Sequence, residues 1–235
     1  MEQRFKGRPH EQAYEYIKDL LLDGVRPPGS ELRVEDVMSA LTANRQPVMD
    51  AFKRLAQEGY VEVVPLVGCR VIEPDAREIS DFFRLFSVTE GLAAEFAALR
   101  ASAADRRALR AVHAEIAKLS PRDEPPDRLA HAYRTLNRRF HAIVHAMAQS
   151  VTVCSTAESF WDRSDFYIST APSRDLVFAR RITDAHAEHE SILRAIDSGH
   201  AQAAHKKMEE HINAFARSCE RASTELSIRR GGRPS

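Results

Sequence analysis

The chain has 235 residues, 43% hydrophobic and 29% charged, with a formal net charge of zero and three cysteines. That length suits one large domain or two small ones, and the neutral balance speaks against an indiscriminate polyanion binder. Cys69, Cys154 and Cys219 are odd in number, far apart and without CxxC spacing, which speaks against a disulfide framework or a zinc ribbon and for a reducing compartment. The N-terminus shows no apolar segment of the secretory kind, and no run approaches the ~18 apolar residues of a membrane span. A cytoplasmic protein with no membrane partner is therefore expected.

Residues 10–24 predict a first helix, with Ala13, Ile17, Leu20 and Leu21 as its buried stripe and Gly24 with the Arg26–Gly29 turn as its stop. Val34, Val37, Met38 and Leu41 then recur at helical spacing, and Val48, Ala51, Phe52 and Leu55 do so again. Between them lies the break Thr42-Ala43-Asn44, with Asn44 suited to an N-cap and Pro47 in the first turn that follows. Two short amphipathic helices around a tight turn make a helix-turn-helix, whose second helix opens on Arg45 and Gln46. Both side chains are able to read base edges in a major groove. Residues 60–64 and 69–72 read as strands flanking Pro65-Leu66-Val67-Gly68, a hairpin that would serve as a wing, with Arg70 placed to meet phosphate or a minor groove. Residues 1–74, the expected first domain, hold ten Lys/Arg against twelve Asp/Glu, a net of −2. DNA binding by such a module would rest on local placement of positive charge and on a dimer doubling the contacts.

These residues resemble the GntR family of bacterial transcription regulators over about residues 10–74. The matching positions are Pro28-Gly29, Leu32, Leu41, Arg45, Pro47-Val48, Ala51, Leu55, Glu58-Gly59 and the wing Pro65, Gly68 and Val71. The resemblance implies double-stranded operator DNA as a partner. Four positions depart from the family pattern: Thr42 stands for the turn glycine, Asn44 for a serine, Met49 for a second arginine, and Val67 for an arginine before the wing glycine. Arg33, Gln46, Lys53 and Arg70 are the available substitutes, although Lys53 reads more simply as part of a solvated helix face. The expected DNA-contacting set is Arg33, Asn44, Arg45, Gln46 and Arg70.

Glu73-Pro74-Asp75 breaks the strand pattern, and the chain beyond it reads as helix: residues 76–101, 103–119, 128–149, 151–169, 173–198 and 200–225, with residues 120–127 a loop by composition. The expected fold is mainly α: an N-terminal winged helix-turn-helix with a small β-hairpin, then an antiparallel all-helical bundle over 75–225 and a disordered tail over 226–235.

Within that bundle the apolar stripe Ile182, Ala185, Ile192, Ile196 has His189 in a core-facing slot, and the stripe Ala204, Met208, Phe215 has His211. Beside Leu136, Phe140, Val144 and Met147, Asn137 and His141 share a face one turn apart. A single inward histidine is usually satisfied by a carbonyl or a water. Three on three helices would need partners from one another, and a divalent cation meets that need at once; nitrogen–oxygen sites of this kind suit zinc or nickel. His145 continues the Asn137–His141 line and His186 lies one turn before His189, as further ligands or supporting partners. His113, His131, His200 and His205 read as surface residues.

The same region is similar to the FadR C-terminal ligand-binding domain over about residues 76–222, through Asn137-x-x-Phe140-His141, Glu188-His189-x-x-Ile192-Leu193-x-Ala195-Ile196 and Met208-x-x-His211-Ile212. The resemblance implies a metal set of Asn137, His141, His189 and His211, with Asn where relatives carry an acid. It also implies an effector, an organic acid, although Phe86 stands where relatives often place an anion-binding arginine; Arg134 and Arg163 are the substitutes, with His186 beside the site. The function expected is a ligand-responsive, homodimeric transcription regulator, a repressor, and not an enzyme. The alternative is a metal-dependent hydrolase-like enzyme using the histidine cluster.

Overall fold

A computed structural model describes residues 8–119, 126–170 and 174–231, with side chains left aside at 126, 127, 130, 174–183, 215 and 218–231. The expected loop over 120–127 therefore lies mostly outside the described residues, as do Pro172 and the last four residues of the tail. The chain divides into two compact units, residues 1–75 with 162–171, and residues 76–161 with 172–235. The expected boundary at 74/75 left 162–171 wholly in the bundle. Those residues end a helix whose side chains, described below, hydrogen-bond to the first unit's backbone.

The first unit holds α1 (Pro9–Leu22), β1 (Glu31–Arg33), α2 (Val34–Leu41), α3 (Arg45–Gln57), β2 (Val61–Val64) and β3 (Gly68–Val71). Its core is the one the spacing predicts: Ala13, Ile17 and Leu21 of α1, Val34 and Val37 of α2, and Val48, Ala51, Phe52 and Leu55 of α3 are all buried. Leu20, Met38 and Leu41 are only half-buried, at the rim of that core. Thr42 makes the helix-turn-helix turn in the left-handed region (φ 51°), a conformation that costs a β-branched residue free energy and that glycine adopts freely. Asn44 does hold the N-cap of α3, but its side chain makes no capping hydrogen bond.

Among the described residues the sheet has three antiparallel strands in the order β1-β3-β2, not the two of a bare hairpin. β1 pairs Leu32 with Cys69, and β2 pairs Val63 with Cys69 on the other edge. A three-residue strand has no periodicity of its own, and only its partner reveals it. Gly68 sits at φ 149° where a Cβ would collide with the carbonyl oxygen of Leu32, so β1 and β3 approach closely only because this residue is glycine.

Six helices follow among the described residues: α4 (Ala76–Arg100), α5 (Ala103–Ile116), α6 (Pro126–Ala148), α7 (Val151–Thr170), α8 (Arg174–Asp197) and α9 (Ala201–Gly231). α9 runs through residues 226–231, which composition suggested were disordered; no helix breaker occurs before the Gly231-Gly232 pair. α4 packs along α9 and also meets α6 and α8, while α5 lies against α6 and α8. Ala93, Ala94, Ala97 and Ala98 are buried on α4, and their small side chains let neighbouring helices come close. α5 opens with a capping box in which the Ser102 hydroxyl accepts from the Asp105 amide and the Asp105 carboxylate accepts from the Ser102 amide. No helix among the described residues is long and apolar enough to cross a membrane.

Candidate metal centre

His141 on α6, His189 on α8 and His211 on α9 converge as the stripe positions predict. Their exposures are 0%, 0% and 6%, and one nitrogen from each lies within 4.8 Å of the other two. Nε2 of His189 and Nε2 of His211 are 3.2 Å apart. Nitrogens held ~2 Å from one tetrahedral metal lie roughly 3.3 Å from each other, so this pair stands at ligand spacing. The Phe140 ring stacks on His189 with centroids 4.2 Å apart at 17°, which fixes the plane of that imidazole.

The outer nitrogens decide which ring atoms face inward. His141 Nδ1 donates to Glu90 Oε2 at 2.8 Å, and His211 Nδ1 donates to Glu188 Oε2 at 2.7 Å. In the neutral ring, a proton on Nδ1 leaves the lone pair on Nε2. His141 Nε2 is buried and makes no hydrogen bond. An unsatisfied buried acceptor is costly, and a cation shared by His141 Nε2 and the Nε2 atoms of His189 and His211 removes the cost. The donor set therefore fits a divalent metal of the zinc or nickel kind.

Glu90 was not among the residues singled out in the sequence. It sits in the alanine-rich stretch of α4 with no exposure at all, and it accepts from His141, from His145 Nε2 at 2.7 Å and from Trp161 Nε1 at 3.1 Å. Burial pushes its pKa up, but His141 and His145 beside it outweigh burial and hold it down at about 2. Burial likewise disfavours the His145 cation, and the Glu90 carboxylate more than offsets this, raising the pKa of His145. His145 thus supports the cluster through Glu90. Glu188, adjacent to His189 in sequence, reaches across to α9 and orients His211 instead.

The other expected residues have surroundings of their own. Asn137 is one turn before His141 on α6, and its Oδ1 accepts from the Tyr133 hydroxyl at 3.4 Å, a long and weak hydrogen bond. His186 stacks on His113 with centroids 4.3 Å apart, and the three-histidine group does not include it. His113 is a correction: it is buried, and its Nε2 meets Glu190 Oε2 at 2.9 Å. It completes the stripe Leu109, Val112, Ile116 at helical spacing, a signal the sequence did carry. Arg163, expected to bind an effector anion, points its guanidinium at the carbonyl oxygens of Glu58 and Gly59 (2.8 Å to the latter) and lies over the Tyr60 ring at 4.6 Å. Those carbonyls end α3, so Arg163 is an anchor of the first unit. Arg134 is half-buried on α6.

In the first unit Arg33, Asn44, Arg45, Gln46 and Arg70 are all exposed. Arg45 pairs with Glu35 at 3.0 Å, Gln46 donates to Asp50 at 2.9 Å and Arg70 pairs with Glu31 at 3.3 Å. Comparison with known proteins assigns both units. The model of bacterial regulatory proteins of the gntR family matches residues 9–71, and the FCD domain model matches residues 81–214. The chain belongs to the GntR family and carries an FCD domain. It is a transcriptional regulator with a ligand-binding domain of that kind. A curated relative, an uncharacterized HTH-type transcriptional regulator of Agrobacterium vitis, is 28% identical over 82 residues, 35% of this chain; the match spans about half (48%) of that relative. Among solved structures, Escherichia coli McbR/YncC aligns with a TM-score of 0.73 at 16% identity, covering 93% of this chain and 100% of that one. A GntR-type regulator from Rhodococcus sp. RHA1 gives 0.69 at 17% identity, covering 91% and 98%. At that identity the likeness concerns the fold. The hydrolase-like alternative finds no support in these matches.

Proposed function

We propose that this GntR-family chain is a metal-containing, effector-responsive repressor that works in the cytoplasm as a homodimer. Two winged helices meet the half-sites of a near-palindromic operator, with Arg33, Asn44, Arg45, Gln46 and Arg70 as the DNA-contacting set. His141, His189 and His211, with Asn137 as a fourth, neutral oxygen donor, hold a zinc- or nickel-like ion. The ion supplies a Lewis-acidic contact for the carboxylate of an organic-acid effector. Operator affinity then changes only by the effector's differential affinity for the two arrangements of the heads.

What carries the reading is the buried, unbonded Nε2 of His141 among two further histidine nitrogens. The test has two arms. Metal analysis of protein purified from replete medium should find near one equivalent per chain, lost in His189→Ala and His211→Ala. Gel shifts with the adjoining intergenic DNA should show salt-sensitive, sequence-preferring binding that organic acids weaken. A metal-free wild type under replete conditions overturns the metal centre; binding indifferent to sequence overturns the operator role.

A further inference from the structure

We propose that Glu90 is the positioning residue of this centre: it forces His141 to present a lone pair inward and supplies the negative charge that Asn137, as a neutral ligand, lacks. The inference rests on the metal centre proposed above, and it concerns a residue of α4 outside the histidine helices.

The argument is one of donors and acceptors. Trp161 Nε1–H can only donate, and it faces Glu90 Oε1 at 3.1 Å; His145 Nε2 faces the same oxygen at 2.7 Å. The other oxygen, Oε2, faces His141 Nδ1 at 2.8 Å. A carboxylate accepts at both oxygens, so a neutral His141 must carry its proton on Nδ1 and leave Nε2 bare. Nε2 is the atom that is buried and without a hydrogen bond. The side chains of Glu90 and His141 have no exposure, so water offers no alternative partner. A glutamine at position 90 has the same shape but only one acceptor. Its carbonyl must stay with the indole N–H, which places its amide N–H₂ against His141 Nδ1. That ring then has to accept at Nδ1 and move its proton to Nε2, the ligand atom. Glu188 does the corresponding work for His211, but its side chain is 28% exposed, and water can replace it.

The charge argument points the same way. Three neutral imidazoles and an amide leave a divalent ion with no anionic ligand. Glu90 contributes a negative charge, shared with His145 on its other oxygen, one imidazole away in a water-excluded interior, where charges interact far more strongly than in solvent.

The test uses the full chain, metal-free, with ¹⁵N-labelled histidine. Long-range ¹H–¹⁵N correlation in the wild type should show His141 protonated at Nδ1 and bare at Nε2; Glu90→Gln should invert this, and Glu90→Asp should keep it. Zinc affinity by competition with a chromophoric chelator should fall 10–100-fold in Glu90→Gln and less in Glu188→Gln, with part of the loss restored in Glu90→Asp. A wild type whose His141 is protonated at Nε2 overturns the proposal whether or not Glu90→Gln folds. So does a folded Glu90→Gln with unchanged tautomer and unchanged zinc affinity. If the wild type binds no zinc, the metal centre fails, and the correlation spectrum still decides the role of Glu90 in setting the His141 proton.

Discussion

In the winged-helix unit, Arg45 and Arg70 meet Glu35 and Glu31 at the surface, with arginine side chains about half exposed (56% and 49%). In the bundle, Glu90 meets His141 and His145 with both partners out of solvent. The chemistry is the same, a carboxylate accepting from a nitrogen, but the surroundings reverse its meaning. An exposed pair contributes little to stability and exchanges its partner at little cost, so a phosphate or a base edge can take the place of Glu35 or Glu31. A buried pair cannot lose one member without stranding the other, so its geometry is held fixed. The first kind suits a surface that must let go of itself to bind; the second suits a site that must present set atoms to a ligand.

The largest break in this comparison is expected from Glu90→Ala. It leaves two buried histidines without their acceptor and should cost about 3–5 kcal/mol of bundle stability, read from denaturant melts of metal-free protein. A loss within error of zero would show that the pair is solvated. The same pair sets the pH response. Glu90's pKa is depressed from 4.5 to about 2, so its contribution is present above about pH 4.5 and disappears as pH falls toward 2. His145's pKa is raised above 6.5, so the contribution seen from its side is complete below 6.5 and disappears as pH rises through the raised value. Thermal melts of metal-free protein should therefore be highest between about pH 4.5 and 6.5; Glu90→Ala should flatten the profile on both sides.

A smaller effect is expected where charge is half-buried. Arg163→Ala removes two charge-assisted hydrogen bonds to the carbonyls ending α3 and the ring contact with Tyr60. The first unit should lose about 1.5–3 kcal/mol, followed by hydrogen exchange of α3 amides. Arg163→Lys should recover only part of it, because one ammonium does not span both carbonyls in a plane. Smallest in stability is Glu35→Gln, which should leave the melting temperature unchanged yet tighten binding to operator DNA in gel shifts, since Arg45 is freed at no cost. Unchanged affinity would mean that Arg45 does not contact DNA.

Several of these features were legible in the sequence because they are local. The helix-turn-helix core and the three inward histidines follow from side chains recurring every 3.6 residues, and periodicity needs no knowledge of neighbours. His113 was legible in the same way, as the third member of the stripe Leu109, Val112, His113, Ile116. Glu90 was not: a lone acid in an alanine-rich helix looks like any solvated residue until α4 is laid against α6. Arg163 looked like an anion contact because sequence does not show that the end of α7 meets the end of α3. β1 escaped because three residues acquire strand character only from a partner 37 positions away, Leu32 against Cys69.

By itself, then, the sequence determined the two-part architecture and which ring-bearing residues face the bundle interior, because hydrophobic periodicity dictates which face of each helix is buried. Only the tertiary structure decided which polar atoms meet there. That a carboxylate from α4 ends against histidines of α6, and so sets which nitrogen of His141 is bare, depends on how separate helices pack, and helix spacing along the chain carries no information about it.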